Sequence, residues 1–284
     1  MKNSKNNDIS FQAASPDGLL SCVRSSLPDI PAGKLKSFLE HRQISVDGAV
    51  TTKFDFPVAA GQTVRISRQP SDSYGCPLEI LYEDDYLLAV NKPAGLLSVA
   101  TDTEKEKTAY RLLADSGSGS VFVVHRLDRD TSGVLLFAKN PQVRDALQET
   151  WDSVSRREYL AVCQGVFGEK SGRCDTFLRE TVTHLVYSAR DTQGKRAITN
   201  YRVLKENKKY SLVQIQIETG RKNQIRVHMK ELSHPIVGDK KYGSTENPLG
   251  RLGLHASLLE LTHPVTGKQL TISAAPDRSF YLPK

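Results

Sequence analysis

The chain has 284 residues, of which 38% are apolar and 25% charged, with a formal net charge of +7 and a pI near 9.1. No run of eighteen uncharged apolar residues occurs, and no apolar segment follows the polar residues 1–8, which argues against a transmembrane helix and a secretory signal. We therefore expect a soluble, cytoplasmic protein that consists of one large and one smaller domain.

The cysteines and histidines give no sign of a metal site. The four cysteines are Cys22, Cys76, Cys163 and Cys174. They and the seven histidines are scattered, and none forms a close pair with the spacing of metal ligands. We therefore expect buried or incidental thiols and no bound metal.

The first part of the chain divides into a flexible N-terminus over residues 1–14, a small domain over residues 15–69 and a linker over residues 70–78. The linker is predicted because Pro, Gly and Ser cluster there without periodicity. Within the small domain, apolar residues at helical spacing predict two short helices, around residues 19–27 and 35–39. The alternating residues that follow predict a small sheet.

An apolar run at residues 121–124 stops at a dense cluster of reactive and turn-forming side chains, residues 125–133. Four consecutive apolar residues indicate a buried strand, and the polar residues from Asp130 favour a turn. If the strand continues through Arg126 and Asp128, their side chains project on the same side, and the cation favours an ionised carboxylate. The pattern alone fits both a catalytic carboxylate and an Asp that only accepts backbone hydrogen bonds in a turn.

Residues 79–284 alternate strand-like stretches with a few helices, which predicts an α+β domain of about two hundred residues. The clearest helix begins at Asn140 and Pro141, because Asn caps a helix well and Pro fits its first turn. The apolar stripe of this helix is expected to pack in the core and consists of Val143, Ala146, Leu147, Trp151 and Val154.

A strand-to-helix transition is predicted near Gly220. Residues 213–218 alternate with a period of two, as in a half-buried strand, and helical spacing then continues until Pro235 interrupts it. Exposed amides at such a helix start, together with cations, attract a phosphate or a carboxylate. The cations at this transition are Arg221, Lys222 and Arg226.

The positive charge is concentrated between residues 190 and 230, where eleven Lys or Arg face three Asp or Glu. Such a basic segment suits a polyphosphate backbone, although a solvated strand face has the same composition. Nucleic acid is therefore the leading candidate partner. The cations of this segment are residues 190, 195, 196, 202, 205, 208, 209, 221, 222, 226 and 230.

Together the motifs resemble those of the RluA-type pseudouridine synthases, over the chain from about Ser15 onward. They occur in the family's order and centre on the pattern His-Arg-Leu-Asp-x-x-Thr-Ser-Gly, which is highly specific. The matching segments are residues 82–97, 125–133, 157–161, 194–199, 219–228, 238–243 and 251–256.

Two residues depart from the family's pattern. Asn223 stands where the family usually has His, and Lys222 stands where Thr is commoner. Because Gln224, Ile225 and Arg226 keep the pattern, we expect the departure to affect local RNA contacts more than catalysis.

Residues 15–69 resemble the small RNA-binding module first seen in a small-subunit ribosomal protein, through residues 35–39, 44–48 and 60–66. The two resemblances together imply an α+β fold. A catalytic domain over residues 79–284, with a mixed, mostly antiparallel central sheet flanked by helices, is preceded by a small α/β RNA-binding module.

The resemblance implies an isomerase that detaches uracil from its ribose, rotates the base and rejoins it through carbon 5, with no cofactor and no metal. Asp128 is the implied catalytic residue. Whether it attacks the sugar, adds to the base or removes a ribose proton stays open. RNA is the implied partner. The appended module favours ribosomal RNA over transfer RNA, and a monomer is the working expectation.

Three further residues receive roles from the resemblance. Arg226 is expected to pair with Asp128 through charge-assisted hydrogen bonds. Tyr159 is expected to stack on the uracil and to assist the transfer of the carbon 5 proton. Arg126 is expected either to occupy the space that a flipped uridine vacates or to contact phosphate.

Two other functions fit part of the pattern. A strand followed by Asp128 is found in magnesium-dependent phosphohydrolases with an aspartate nucleophile, but those enzymes place the Asp directly at the strand end, whereas here residues 125–127 intervene. A non-catalytic RNA-binding protein would use the N-terminal module and the basic segment, but it leaves Asp128 without a role.

Overall fold

The computed structural model describes residues 9–40, 43–47, 49–51, 53–66, 78–101, 104, 107–116, 119–189, 192–277 and 280–282. Contacts divide the chain into two compact units. The first is drawn from Met1–Pro77 and Leu112–Ser120, and the second from Leu78–Arg111 and Val121–Lys284. The predicted linker lies outside the described residues except for Leu78, which is buried.

The first unit contains a four-stranded antiparallel sheet in the order β1-β6-β3-β4 and the short pair β2-β5. The helices form one hydrophobic core with these strands because Leu19, Val23 and Leu35 are buried together with Ile44 and Val64. The elements are β1 (Ile9–Gln12), β2 (Asp17–Gly18), α1 (Leu19–Ser26), α2 (Ala32–Glu40), β3 (Ile44–Val46), β4 (Ala49–Val50), β5 (Pro57–Val58) and β6 (Thr63–Ile66).

Strand β1 corrects the prediction of a flexible N-terminus over residues 1–14. It pairs antiparallel with β6, with Ile9 opposite Ile66. Ile9 and Phe11 alternate along the strand and pack against the core of the unit. A four-residue alternation is too short to distinguish from chance in the sequence, and the partner strand is what selects it. Residues 1–8 lie outside the described part of the chain.

The second unit is built on an eleven-stranded mixed sheet. Nine strands follow the order β13-β12-β14-β15-β11-β16-β10-β8-β7, while β17 pairs with β16 and β9 pairs with β10. The remaining elements of the chain are β7 (Glu79–Glu83), β8 (Leu87–Lys92), α3 (Ala109–Ser116), β9 (Phe122–Val123), β10 (Ser132–Ala138), α4 (Pro141–Val154), β11 (Ser155–Gln164), β12 (Ser171–Glu180), β13 (Val186–Ala189), β14 (Lys195–Glu206), β15 (Tyr210–Ile217), α5 (Gln224–Glu231), β16 (Leu254–Thr262) and β17 (Gln269–Ser273).

The pairing of strands confirms the predicted α+β fold with a mixed, mostly antiparallel sheet. Strands β10 and β16 run parallel, and the other ladders between named strands of this sheet are antiparallel. The parallel pair lies near the middle of the strand order, next to the residues that the sequence singles out.

The two predicted helices of this unit are confirmed. Asn140 caps α4, since its Oδ1 accepts a hydrogen bond of 2.9 Å from the Val143 amide. Val143 and Leu147 are buried in the core, as the apolar stripe predicts, whereas Ala146 is exposed and does not belong to the buried face. Helix α5 ends at Glu231, before Pro235. In the described part of the chain, no helix has the length and apolar character needed to cross a membrane.

Candidate active site

The segment that carries Asp128 is an irregular loop between two strands. The prediction of a strand over residues 121–124 is only partly right, because β9 covers Phe122 and Val123 and residues 124–128 adopt no regular structure. Side chains bind the backbone groups that would continue the ladder, since the Leu136 amide of β10 donates to His125 Nε2 at 3.0 Å and Gln148 Nε2 donates to the carbonyl oxygen of Val124 at 3.3 Å.

The predicted turn is also shifted toward the N-terminus. The Thr131 amide donates to the carbonyl oxygen of Asp128 at 3.2 Å, so the turn lies over residues 128–131, and Ser132 already belongs to β10. Gly133 has a positive φ of 111°, and a Cβ atom there would lie 2.1 Å from the carbonyl oxygen of Ala256. Only glycine permits this approach of β10 to β16, which fixes the C-terminal end of the loop.

One cavity of about 450 Å³ brings together all four residues that the sequence predicts for the site. Asp128 and Arg126 reach it from the loop, Tyr159 from β11 and Arg226 from α5. We call it the Asp128 cavity. It is lined by residues 124–128, 131, 148, 149, 151, 152, 157, 159, 217, 220, 221, 223–226 and 254.

The loop is held on one side by residues 92–98, which we call the loop support. Lys92 is fully buried, and its Nζ donates to the carbonyl oxygens of Pro93 at 3.0 Å, Leu96 at 2.7 Å and Arg129 at 3.0 Å. The Gly95 amide also donates to the Arg129 carbonyl oxygen at 2.9 Å. The backbone directly after Asp128 is therefore tied to the end of β8.

Ser98 holds the backbone directly before Asp128. Its Oγ accepts a hydrogen bond from the Leu127 amide at 3.0 Å and donates one to the Leu127 carbonyl oxygen at 2.9 Å. Both Ser98 and Leu127 are buried. A single hydroxyl thus satisfies two backbone groups that the irregular loop would otherwise leave unpaired in the protein interior.

Burial lowers the pKa of Lys92 to about 7, while the nearby carboxylates of Asp130 and Asp128 act in the opposite direction. All three hydrogen bonds that the ammonium group can donate are made to carbonyl oxygens. The geometry makes Lys92 a clamp on backbone atoms.

The other side of Asp128 is held through Arg226, in a group of side chains that we call the helix support. Arg226 binds Asp239 through two parallel hydrogen bonds, Nε to Oδ2 and Nη2 to Oδ1, both 2.7 Å long. Its third nitrogen, Nη1, donates to Asn223 Oδ1 at 2.8 Å and lies 3.7 Å from Asp128 Oδ2. The helix support consists of Asn223, Arg226 and Asp239.

The predicted pairing of Arg226 with Asp128 is found as an ion pair, but the predicted hydrogen bonds between the two side chains are not. At 3.7 Å the two groups attract each other as ions but form no hydrogen bond. The bidentate partner is Asp239, whose side chain is 1% exposed. Arg226 therefore presents a fixed positive charge to Asp128 and leaves the hydrogen-bonding capacity of the Asp128 carboxylate available to a substrate.

Asn223 also has a different place from the one expected. It is buried, and it adopts the left-handed conformation with φ of 54°, which Asn and His tolerate better than most residues. Because its Oδ1 accepts from Arg226, the departure from the family's usual His lies beside Asp128 and not in a peripheral RNA contact. The expectation that it affects RNA contacts more than catalysis stays a prediction, and this position makes an effect through Arg226 on Asp128 a second possibility to test.

Helix α5 is anchored to the sheet by buried polar side chains. Gln224 Nε2 donates to Thr199 Oγ1 at 3.0 Å, and His228 Nδ1 is hydrogen bonded to the same hydroxyl at 2.8 Å. His228 Nε2 is hydrogen bonded to Thr176 Oγ1 at 2.9 Å. Burial lowers the pKa of His228 to about 4, so the ring is neutral at neutral pH. This network fixes the helix that carries Arg226.

Tyr159 lies in the centre of the sheet at an irregularity in the ladder. The register between β11 and β16 shifts between Glu158 and Tyr159, and such bulges redirect side chains. Burial raises the pKa of Tyr159 to about 12, and Asp128 adds to this shift. The phenol is therefore neutral at neutral pH, which favours stacking and hydrogen-bond donation over action as a base.

Aromatic and cationic side chains form a further wall of the cavity. His125 stacks on Trp151 with ring centroids 4.6 Å apart, and its Nε2 accepts from the Leu136 amide at 3.0 Å. Burial lowers the pKa of His125 to about 3, which makes it a structural residue and a poor acid or base at neutral pH. Trp151 packs on the core and also lines the cavity, so the apolar stripe of α4 contributes both to the core and to the wall of the Asp128 cavity.

Arg157 completes this wall. Its Nη2 donates to Asp152 Oδ1 at 2.9 Å and to the carbonyl oxygen of Glu218 at 3.0 Å. Its Nε is buried without a hydrogen-bond partner among the described residues, and the guanidinium lies over the Trp151 ring at 5.9 Å. The attraction between cation and ring compensates part of that lost hydrogen bond.

The described cations of the predicted basic segment have different surroundings. Arg196 is bound by Asp175 through bonds of 2.8 and 2.6 Å, and Arg202 donates to Gln214 at 2.7 Å. Arg221 and Arg226 line the Asp128 cavity, whereas Lys205, Lys208 and Lys209 lie at the far end of β14 and in the turn that follows it. Arg190 lies outside the described residues.

Among the described residues, no group of three or more His, Cys, Asp or Glu is arranged to hold a metal ion. The three described cysteines, Cys22, Cys163 and Cys174, are free thiols, and Cys76 lies outside the described residues. Burial raises the pKa of Cys174 to about 11. The site is thus built from the carboxylate of Asp128, the cations around it and the phenol of Tyr159.

The chain is similar to known proteins in both sequence and structure. A family model described as RNA pseudouridylate synthase matches residues 86–231. The tRNA pseudouridine synthase C of Haemophilus ducreyi is 38% identical over 228 residues, which cover 72% of this chain and 93% of that protein. The ribosomal large subunit pseudouridine synthase D of Nitrosomonas europaea is 33% identical over 293 residues, which cover 94% of this chain and 85% of that protein.

The solved structures agree with the sequence comparison. Human RNA pseudouridylate synthase domain containing 4 superposes with a TM-score of 0.58 at 26% identity, covering 71% of this chain and 90% of that one. The range that the family model matches contains Asp128, Tyr159 and Arg226.

Proposed function

This chain belongs to the RNA pseudouridylate synthase family and is an isomerase, and we propose that it converts specific uridines in RNA to pseudouridine with Asp128 as the catalytic residue. The observation that carries the proposal is the meeting of Asp128, Arg226, Tyr159 and Arg126 in one cavity. Two further carboxylates line it. Asp152 is bound by Arg157, however, and Glu149 is exposed on α4.

The reaction requires an ionised carboxylate that is positioned against the uracil or its ribose. Asp128 is 31% exposed at the side chain, so a substrate can reach it, and the backbone on both sides of it is fixed by the loop support. Arg226 supplies a positive charge 3.7 Å from its oxygen. A carboxylate held in this way loses little conformational freedom when the substrate binds.

The other two residues would act on the base and on the RNA around it. Tyr159, neutral and half-buried, would stack on the uracil while the base rotates. A uridine in structured RNA has to be flipped out of its stack, at a cost of roughly a few kcal/mol. Arg126 is exposed and lines the same cavity, which supports a role in filling the vacated space or binding a phosphate.

We favour large-subunit ribosomal RNA over transfer RNA as the substrate. The relative named for the ribosomal large subunit aligns with 94% of this chain, whereas the relative named for tRNA aligns with 72% of it. We propose that residues 15–69 form an RNA-binding module ahead of a catalytic domain over residues 79–284. A second RNA contact of this kind raises the affinity for a large, structured RNA.

The test uses transcripts labelled with tritium at carbon 5 of uracil, since formation of pseudouridine releases that tritium to water. We expect release from large-subunit ribosomal RNA, and Asp128→Asn should lower the rate by about four orders of magnitude or more. Asp145→Asn, an exposed residue on α4, is the matched control and should keep the wild-type rate.

Three outcomes would change the proposal. Release that persists in Asp128→Asn would remove the catalytic assignment. Release from tRNA transcripts alone would replace the ribosomal substrate by transfer RNA. Tight RNA binding with no release from either transcript would favour a non-catalytic RNA-binding protein.

A further inference from the structure

A second cavity of about 440 Å³ adjoins the Asp128 cavity, and Gly220 and Arg221 line both. It lies between the ends of β12 and β14 and the segment that leads into α5. We call it the basic groove. It is lined by Leu178, Arg179, Glu180, Val186, Gln193, Gly194, Lys195, Gly220, Arg221 and Lys222.

The charge of the basic groove is strongly unequal. Four of its lining side chains are cations, and Glu180 is its one anion. The carboxylate of Glu180 is bound by Lys222 and by His184, and the lining side chains together carry a formal charge of +3. Lys195 is exposed, and no partner of its ammonium group is found among the described residues. A site with an excess of positive charge favours a ligand with several negative charges.

Arg221 stands between the two cavities in a fixed position. Its amide donates to Gln224 Oε1 at 3.0 Å, and its Nε donates to the carbonyl oxygen of Arg196 at 3.0 Å. Within the described part of the chain, the two terminal nitrogens of the guanidinium make no hydrogen bond, and Nη2 forms only a long ion pair of 4.0 Å with Asp152 Oδ2. A guanidinium held through its Nε is preorganised to bind a phosphate with its remaining donors.

We propose that the basic groove binds the backbone phosphates of the nucleotides that flank the target uridine. The inference rests on the proposed function and adds to it the path of the RNA strand. When the uridine occupies the Asp128 cavity, the strand passes Gly220 and Arg221 and places the neighbouring phosphates against Lys195, Arg221 and Lys222. Leu178 and Val186 also line the groove, but they are buried in the core beneath it, so the cations provide its accessible contacts.

The basic groove also explains which members of the basic segment contribute to binding. Lys195 begins β14 and lines the groove, whereas Lys205 lies ten residues later on the same strand, about 33 Å away along its length. Both side chains are exposed lysines with the same charge. Comparing substitutions of Lys195 and Lys205 therefore distinguishes a specific phosphate contact from a general effect of net charge.

The experiment measures binding of a fluorescent heptamer of single-stranded RNA that has one central uridine flanked by cytidines. All proteins carry Asp128→Asn, so that no turnover occurs. Lys195→Gln should weaken binding roughly fivefold and reduce the slope of log affinity against log salt by about 0.7. Lys205→Gln should leave both unchanged, and Glu180→Gln should tighten binding roughly twofold because it removes the anion of the groove.

A second measurement locates the contact on the RNA. Each linkage of the heptamer is replaced in turn by a neutral methylphosphonate. At a linkage next to the uridine, the replacement should weaken binding by the Lys205→Gln protein but should have no further effect on Lys195→Gln, because the same contact has already been lost.

The proposal is overturned if the losses of binding free energy caused by the methylphosphonate and by Lys195→Gln add at every linkage. It is also overturned if Lys205→Gln and Lys195→Gln weaken binding equally, or if the heptamer does not bind at the highest protein concentration reached. These readings do not depend on turnover. If the coupling is absent but the protein with Asp128 intact releases tritium, the basic groove alone is rejected. If the coupling is found but no tritium is released, the proposed function alone is rejected.

Discussion

The two supports of Asp128 use different chemistry. The loop support acts on the backbone, with Lys92 and Ser98 bound to the atoms that immediately follow and precede Asp128. The helix support acts through space, because Arg226 is bound to Asp239 and Asn223 and approaches Asp128 only to 3.7 Å. One support fixes where the carboxylate is, and the other fixes the charge that it faces.

This difference separates stability from catalysis. Breaking the loop support moves the carboxylate itself, and displacement by about 1 Å can lower a rate by two orders of magnitude. Breaking the helix support leaves the loop in place but leaves a buried charge unpaired, which lowers the free energy of unfolding far more than loss of a neutral hydrogen bond does. Substitutions in the two supports should therefore give different ratios of lost stability to lost activity.

The largest effect is expected for Asp239→Asn. Arg226 then keeps its charge in a buried site without a bidentate partner, which should lower the free energy of unfolding by about 3–5 kcal/mol. Urea denaturation measures this loss. Asp175→Asn breaks a similar two-bond pair with Arg196 in an exposed place and should cost at most about 1 kcal/mol.

The double substitution Arg226→Gln with Asp239→Asn tests the reason for that loss. Removing both charges should restore part of the stability but none of the tritium release, because Arg226 also serves Asp128. If Asp239→Asn alone unfolds at the wild-type urea concentration, the ion pair is not what holds the helix support.

The sequence predicts Asp128, Arg126, Tyr159 and Arg226 because each belongs to a motif with a recognisable local pattern. It does not predict how Arg226 is held, since Asp239 lies thirteen residues away across a turn whose path no periodicity indicates. Ser98 is 29 residues from Leu127 and carries no signal at all, because a serine bound to backbone atoms looks like any other serine. Lys92 belongs to the first matching segment, but the sequence cannot show that it is buried.

The fold was predictable to a similar degree. The helix at Asn140 and the alternating strand before Thr219 follow from capping and period, which are local properties. Strand β1 depends on a partner far along the chain, namely β6, and β9 ends where the side chains of His125 and Gln148 bind the backbone groups that would continue the ladder. Tertiary contacts determine where such short strands begin and end, and the local sequence pattern does not show those contacts.

Acid should protonate His228, on the helix that carries Arg226, before it protonates His125, in the loop that carries Asp128. His228 on α5 has a pKa lowered to about 4, against about 6.5 in an unfolded chain, because the ring is buried. The unfolded state binds the proton first, so the contribution of His228 to stability is complete above pH 6.5 and is lost as the pH falls through 4, by ~3 kcal/mol. His125, whose pKa is about 3, lies in the loop itself and should be protonated in the folded protein only at lower pH.

Nuclear magnetic resonance of the histidine rings measures the two titrations directly, and urea denaturation at pH 7 and at pH 4.5 measures the stability. His228→Gln removes one titrating group and should reduce the loss of stability between these pH values. A His228 resonance that titrates near pH 6.5 would contradict the prediction.

A smaller effect is expected where the chain departs from its family. Asn223→Ala removes the acceptor for Arg226 Nη1 and places Ala at a φ of 54°, and each change should cost about 1 kcal/mol. Asn223→His keeps a ring nitrogen as an acceptor and tolerates this backbone conformation, so it should retain most of the stability and of the tritium release. Equal losses in both variants would show that the Asn223 oxygen is not what orients Arg226.

The smallest loss of stability, and the clearest contrast with the helix support, is expected for Ser98→Ala. The Leu127 amide and carbonyl lose their shared partner, which should cost about 1–2 kcal/mol. Ser211→Ala is the matched control, since Ser211 is also buried and its hydroxyl lies within hydrogen-bond distance of two acceptors, the Gly165 carbonyl oxygen at 2.8 Å and Glu206 Oε1 at 3.0 Å. Both variants should lose similar stability, but only Ser98→Ala should lower kcat, by about tenfold, with little change in KM. If kcat falls equally in both, the effect comes from general loosening of the fold and the loop support does not position Asp128.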